Sequence, residues 1–321
     1  MQSPSRRSTP DSARSAWIIA GATATGKSAA AQILAERIGA AILSSDAMLV
    51  YRGMDIGTAK PSVEERGSVP YFGIDLVNPD EPFSTGKWLD SAKPALSLPE
   101  NTPLIIAGGT GLYVKAVTEG LDGVEVSERC RCYWRDFLEK EGADRLRALL
   151  QAKWPEAYAK IDDPLNPRRL TRAAELLETQ GRLPDQWGAP DTTRPRPLIP
   201  VLSVPRPALH QRIADRIEKM FEQGLAEEVE ALRERFPVWS ATARKAIGYA
   251  EVCDWQDGKL SLEEAKEKIR IRTRQLAKRQ ETWFRHQAEI IEIPIDPKDT
   301  ATVIADRVWK VWRNYGPTRL A

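Results

Sequence analysis

Apolar positions along the chain fall into two rhythms. Short dense runs occur at Trp17-Ile-Ile-Ala20, Ala40-Ala-Ile-Leu43 and Pro103-Leu-Ile-Ile-Ala107, and again within 196–204 and 289–295. Runs of that length and density fit strands buried on both faces. Between them the spacing changes to that of helices. Residues 29–38 read as a helix ended by Gly39. Leu209, Ile213, Ile217, Met220 and Phe221 form one stripe of a helix over 207–223, closed by Gly224. The box Ser261-Leu-Glu-Glu264 opens a long helix further on. Strands alternating with helices predict an α/β doubly wound parallel sheet, whose ligands sit at the carboxyl ends of the strands. From about 122 to 194 strand signals vanish and helices with charged faces take over, which predicts a helical insertion. The core then takes 16–121 and 195–313, its C-terminal part largely helical. Residues 1–15, rich in Ser, Pro and Arg without an apolar run, read as a disordered tail, and 314–321 as a second tail.

Composition narrows the chemistry. With 321 residues and 42% of them hydrophobic, the chain can bury a large core. A net charge of +2 requires any nucleic-acid surface to be a local concentration of cations. Three cysteines without nearby partners at metal-ligand spacing point to a reducing compartment, the cytoplasm, and to no structural zinc. His210 and His286 are the only histidines, so Asp, Lys, Arg and hydroxyls must do the chemistry. No apolar run is long enough for a membrane span.

The first strand runs straight into Gly21-Ala22-Thr23-Ala24-Thr25-Gly26-Lys27-Ser28, a P-loop of the form G-x-x-x-x-G-K-[ST]. Its glycines let successive N–H groups converge on an oligophosphate, Lys27 adds a point charge, and Ser28 offers a hydroxyl to Mg²⁺. Many P-loop kinases hold their metal with an acid that closes an apolar strand, but 103–107 ends in Ala-Gly-Gly-Thr and offers none. The acid at a strand end is Asp46, either a proton acceptor for a nucleophile or the cap of the next turn. Arg216 borders the buried stripe of its helix and needs an anion there, a structural carboxylate or a diphosphate. Asn166-Pro167 has the form of an N-cap and first-turn proline, and Arg168, Arg169 and Arg172 follow where the helix dipole disfavours cations. That cluster is a phosphate site or a solvated face. Seven cations against Glu281 over 268–285 pose the same choice, with Trp283 and Phe284 as base-stacking or core aromatics.

Together these segments resemble the tRNA dimethylallyltransferases. The resemblance rests on the loop at 21–28, on Ser45-Asp46 leading into Val50-Tyr-Arg-Gly-Met-Asp-Ile-Gly-Thr-Ala-Lys-Pro61, and on Gly108-Gly-Thr-Gly-Leu-Tyr113. It continues through Pro167-Arg-Arg-Leu-Thr-Arg-Ala173, Arg216, Gly224-Leu-Ala-Glu-Glu-Val229, Ala246-Ile-Gly-Tyr249 and Thr273-Arg-Gln-Leu-Ala-Lys-Arg-Gln-Glu-Thr-Trp-Phe-Arg285. It implies transfer of a dimethylallyl group from dimethylallyl diphosphate to the exocyclic 6-amino group of the adenosine 3′-adjacent to a tRNA anticodon, with Mg²⁺ as cofactor. In that reading Asp46 is the general base and Thr110 and Arg216 are further catalytic positions. Gly21, Ala22, Thr23, Ala24, Thr25, Gly26, Lys27 and Ser28 hold the diphosphate with Arg216, and Ser28 shares the metal.

The tRNA contacts implied are Asp46, Ala47, Met48 and Leu49, then Thr110, Arg131, Arg168, Arg169, Leu170, Thr171 and Arg172. Lys245, Ala246, Ile247, Gly248, Tyr249 and Ala250 complete them, on a monomer that needs no membrane. The chain departs from the family pattern at Leu49, where Gln is usual, at Tyr71-Phe72, where His-His is usual, and at Ala22, where Pro is common. Rival readings are a P-loop small-molecule kinase, an isopentenyltransferase acting on free adenine nucleotides, and an RNA-binding protein without catalysis.

Overall fold

The computed structural model describes residues 14–121, 124–184 and 196–321. They form two compact units, one of residues 14–120 with 196–321 and a smaller one of 121 and 124–184. In chain order the larger unit runs β1 (Ser15–Gly21), α1 (Lys27–Ile38), β2 (Ala41–Ser44), α2 (Val63–Arg66), β3 (Tyr71–Phe72), α3 (Thr85–Leu96), β4 (Leu104–Gly108) and α4 (Gly111–Thr118). The smaller unit supplies α5 (Glu128–Lys153), α6 (Pro155–Tyr158) and α7 (Pro167–Gln180). The larger unit resumes with β5 (Leu198–Ser203), α8 (Arg206–Glu222), α9 (Leu225–Arg235), α10 (Tyr249–Gln256), α11 (Leu262–Gln287), β6 (Glu289–Pro294), α12 (Ala301–Tyr315) and β7 (Thr318–Arg319).

Six strands lie parallel in the order β3-β2-β4-β1-β5-β6, and β7 pairs antiparallel with the start of β1. The α/β doubly wound architecture is therefore as the strand–helix alternation requires. β1 is central, with Ala20 opposite Gly108 of β4 on one side and Val201 of β5 on the other. Ile18, Ile19, Ile42, Leu43, Leu104, Ile105 and Ile106 are almost wholly buried, because helices cover both faces. Each such side chain contributes roughly 1.5–3 kcal/mol from leaving water. α12 closes one face, its Trp312 donating to the Ile18 carbonyl at 3.0 Å.

The smaller unit has its own core, built from Trp134, Leu146 and Leu150 of α5 and Leu170, Ala173, Ala174 and Leu177 of α7. Gly142 interrupts α5 with φ 82° and ψ 169°, a left-handed kink that a residue with a Cβ would resist. The capping predictions hold: the Ser261 side chain accepts from Glu264 N–H, and Asn166 caps α7 ahead of Pro167.

Two boundaries differ from those the sequence predicts. Arg14 and Ser15 are not tail: β1 begins at Ser15, fixed by pairing with Arg319, and Arg14 donates to the carbonyls of Leu96, Leu98 and Thr102. Residues 1–13 of that predicted tail, 122–123 and 185–194 of the predicted insertion, and residue 195 lie outside the described residues. The stretch 314–321 likewise holds the end of α12 and β7. Gly224 follows α8 as expected but also serves, at φ 97°, as the first cap of α9.

Candidate active site

β1 ends in the phosphate loop. Gly26, at φ 93°, caps α1, and Ala24 takes the same left-handed region at φ 63°, which costs about 1–2 kcal/mol for a residue with a side chain. The loop is braced around one carbonyl: Thr25 Oγ1 and Lys27 Nζ both donate to Ala22 O, at 2.9 and 3.0 Å. The N–H groups at the start of α1 have no residue to bond in the preceding turn, so the loop presents donors, a buried ammonium and the exposed Ser28 hydroxyl to one space.

That space is a cavity within the larger unit, lined by Thr23, Lys27, Ser28, Asp46, Leu49, Thr58, Tyr71, Gly108 and Arg216 among others. The sheet assembles it. Ser45 continues the β2–β4 ladder by donating to Ala107 O, and Thr110 N–H donates back to Ser45 O. A Cβ on Gly108 would lie 2.4 Å from Ser45, so only glycine lets the two strand ends come this close. Thr110 Oγ1 accepts Ala47 N–H at 3.0 Å, and Asp46 Oδ1 accepts Met48 N–H at 2.9 Å. Asp46 is thus the turn cap that its sequence position suggests, with one oxygen, while its carboxylate stands in the field of Lys27 and Arg216.

Arg216 reaches in from α8 and donates to the Thr58 carbonyl at 3.2 Å. Burial lowers the basicity of its guanidinium and Asp46 raises it. Burial, opposed by Asp46 and reinforced by Arg216, pushes the Lys27 ammonium down to about 8. A buried ammonium and a half-buried guanidinium against one carboxylate leave the cavity short of negative charge, the condition that a diphosphate relieves.

The loop carrying Thr58 is held from outside. Lys60 Nζ, buried, donates to Tyr51 O and to Asp55 and Asp75, each at 2.6 Å. The Glu228 carboxylate accepts the N–H groups of Asp55, Ile56 and Gly57 and the Tyr249 hydroxyl. Gly57 is obligatory because a Cβ there would meet the Tyr249 ring at 2.5 Å.

Two of the three departures from the family pattern also face this cavity. Leu49 lines it nearly buried, and Tyr71 lines it with its hydroxyl donating to Gln32 Oε1 at 2.8 Å; burial raises that phenol to about 12. Ala22 supplies the carbonyl that braces the loop.

The structure narrows the expected RNA-facing residues. Leu170 lies in the smaller unit's core, and Ala246, Gly248 and Tyr249 are buried in the larger unit, so these four turn no side chain to a large ligand. They share blocks with exposed polar neighbours, and their buried periodicity places them inward. Arg169 pairs with Asp162, and Arg172 with Glu175 at 2.9 Å, while Thr171 bonds Pro167 O within α7. Arg168, Lys245 and Arg131 are exposed, Arg131 3.9 Å from Glu128, and Ile247 and Ala250 are half-buried. On α11 the expected repulsion is partly cancelled: Arg270 pairs with Glu218 and Glu267, and Arg272 with Glu251. Phe284 is core, whereas Lys278, Arg279 and Trp283 line a shallow hollow with Gln275 and Thr282.

Sequence reasoning missed Lys60, Glu228 and Gln280 as supports of the cavity. The signal for Gln280 is a polar residue on a buried stripe, between Ala277 and Phe284 at helical spacing. Its amide accepts Thr23 N–H at 2.8 Å and donates to Gly109 O at 3.1 Å.

The IPP transferase family model matches residues 49–287, and an isopentenyl transferase model matches 14–70. The tRNA dimethylallyltransferase of Nitrobacter hamburgensis is 41% identical over 282 residues, covering 86% of this chain and 89% of that protein. That of Geobacter metallireducens is 39% identical over 280 residues, covering 85% and 90%. Among solved structures, the full-length tRNA isopentenylpyrophosphate transferase of Bacillus halodurans matches with a TM-score of 0.62 at 33% identity, covering 92% of this chain and 97% of that one.

Proposed function

The chain belongs to the IPP transferase family, and from that premise we propose that it transfers a dimethylallyl group from dimethylallyl diphosphate to the exocyclic 6-amino group of the adenosine 3′-adjacent to a tRNA anticodon. The observation that carries this reading is the grouping of Lys27, Asp46 and Arg216 in one buried cavity at the end of the phosphate loop. The amine nitrogen forms a bond to the first carbon of the donor as the carbon–oxygen bond to the diphosphate breaks. Asp46 accepts the proton that the nitrogen sheds, and diphosphate leaves with the bonding pair. Lys27, Arg216 and the loop N–H groups stabilise the charge that grows on the leaving oxygen. Thr110 keeps Asp46 in place through Ala47.

Ser28 fits a role in holding Mg²⁺: its hydroxyl is exposed at the cavity beside Lys27 and would give the ion an oxygen ligand there. The ion supplies further neutralisation of the leaving group. The adenine must leave its stack to enter, at a cost of a few kcal/mol. Arg168, Arg131 and Lys245 are exposed cations that can meet phosphate, and the cations of α11 add to them. Among the described residues no helix is long and apolar enough to cross a membrane. The reading places the enzyme with its tRNA substrate in the cytoplasm.

The test is incubation of the protein with tRNA, labelled dimethylallyl diphosphate and Mg²⁺, followed by mass analysis of the nucleosides. The expected result is a five-carbon group on one adenosine with release of diphosphate. Consumption of ATP, or preference for AMP over an anticodon stem-loop, would replace this reading with one of its rivals.

A further inference from the structure

We infer that Gln280 is a positioning residue of the transfer reaction, holding the phosphate loop and the Asp46 turn in one fixed relation. The inference rests on the function proposed above. β1 and β4 lie side by side, with Ala20 opposite Gly108, and beyond that pair the two chains diverge into the phosphate loop and the Gly109–Thr110 turn. Their backbone groups can no longer bond each other. The Gln280 amide takes the place of the missing rung: Oε1 accepts Thr23 N–H and Nε2 donates to Gly109 O.

Gly109 is shaped for that contact, since a Cβ there would lie 2.3 Å from Nε2 and 3.1 Å from Gly21 O. One residue further, Thr110 bonds both Ser45 O and Ala47 N–H, the two neighbours of Asp46. A chain of hydrogen bonds and peptide links therefore runs from the loop that grips the donor to the turn that carries Asp46. It also commits Thr23 N–H to the protein, leaving the later N–H groups of the loop for the diphosphate. Only a primary amide of this length supplies an acceptor and a donor at once. A carboxylate would leave Gly109 O without a donor and add negative charge beside the cradle, and an apolar side chain would strand both backbone groups.

The experiment compares wild type with Gln280→Met, Gln280→Glu, Thr110→Ala and the Gln280→Met/Thr110→Ala pair. It measures kcat, tRNA affinity, affinity for inorganic pyrophosphate with Mg²⁺, and thermal unfolding. Gln280→Met is expected to lower kcat at least tenfold and weaken pyrophosphate binding about threefold or more, with tRNA affinity unchanged. Gln280→Glu, which retains the bond to Thr23, should stay folded and weaken pyrophosphate more than Gln280→Met does. Because both sites act through Asp46, the pair should lose less in kcat than the product of the single losses. Unchanged kcat in Gln280→Met, losses that multiply independently, or a loss matched by the fraction unfolded would overturn the inference while leaving the proposed function standing. If wild-type protein transfers nothing to tRNA, the proposed function fails. Pyrophosphate affinity then decides alone: weakened binding in Gln280→Met sustains the clamp, and unchanged binding ends it.

Discussion

Lys27 and Asp46 approach one cavity from the ends of different strands, and the carboxylate offsets part of the cost of burying the ammonium. The larger effect is burial, which brings Lys27 down from 10.5 to about 8. An unfolded chain therefore binds a proton between pH 8 and 10.5 that the folded chain does not. Stability contributed by this residue rises with pH across that window, and the penalty is fully present below it. Lys27→Met should stabilise the free protein by about 2–3 kcal/mol at pH 7, after allowance for the lost bond to Ala22 O. The gain should shrink toward zero by pH 10.5, as thermal unfolding across pH would show. The same variant should lose donor binding, so stability and function part company at this residue.

Asp46→Asn keeps the acceptor for Met48 N–H but cannot take a proton. Transfer should fall about 10²–10⁴-fold with both substrates still bound, read by single-turnover kinetics and separate binding titrations. Retained turnover would assign the proton to another group.

Arg216→Ala removes a half-buried cation whose protein contact is a carbonyl, so the loss falls on the diphosphate. A drop of about 10²–10³ in kcat/KM for the donor is expected, with tRNA affinity unchanged. Arg216→Lys should recover part of it, because charge without the planar fork satisfies only one direction.

Glu228→Gln tests the brace behind Thr58. It keeps the size of the side chain but weakens three N–H contacts and the bond to Tyr249. A loss of about 1–3 kcal/mol in unfolding free energy is expected, with weaker pyrophosphate binding as the loop relaxes.

Arg168→Ala should lower the salt dependence of tRNA binding by about one phosphate contact, whereas Arg169→Ala should do less, since Arg169 is held by Asp162. Equal slopes for the two variants would make the start of α7 an ordinary solvated face.

The parts of this fold that the sequence announces are those with dense local signals. Ile18, Ile19, Ile105 and Ile106 sit in runs that only a sheet covered on both faces explains, and Gly26-Lys27-Ser28 specifies its own loop. Arg216 was legible as a cation on the edge of a buried stripe, but its protein partner, the Thr58 carbonyl, was not, because Thr58 lies 158 residues away. β3 and β7 are two residues each and take their form from partners, so Thr318-Arg319 carries no strand signal of its own. The RNA-facing residues were the least legible. Leu170 and Tyr249 follow the periodicity of core positions inside blocks that otherwise look polar, and the carboxylates that neutralise Arg169, Arg270 and Arg272 come from residues separated in sequence.

The place of β1 between β4 and β5 sets a delay into biosynthesis. On the ribosome its first neighbour emerges with residue 104, but the second waits until residue 198, after the whole of the smaller unit. At about 5–20 residues per second, that leaves one edge of this apolar central strand bare for roughly 5–20 s. A nascent chain in that interval offers Ile18 and Ile19 to any passing extended segment, so chaperone demand should peak there and fall once β5 arrives.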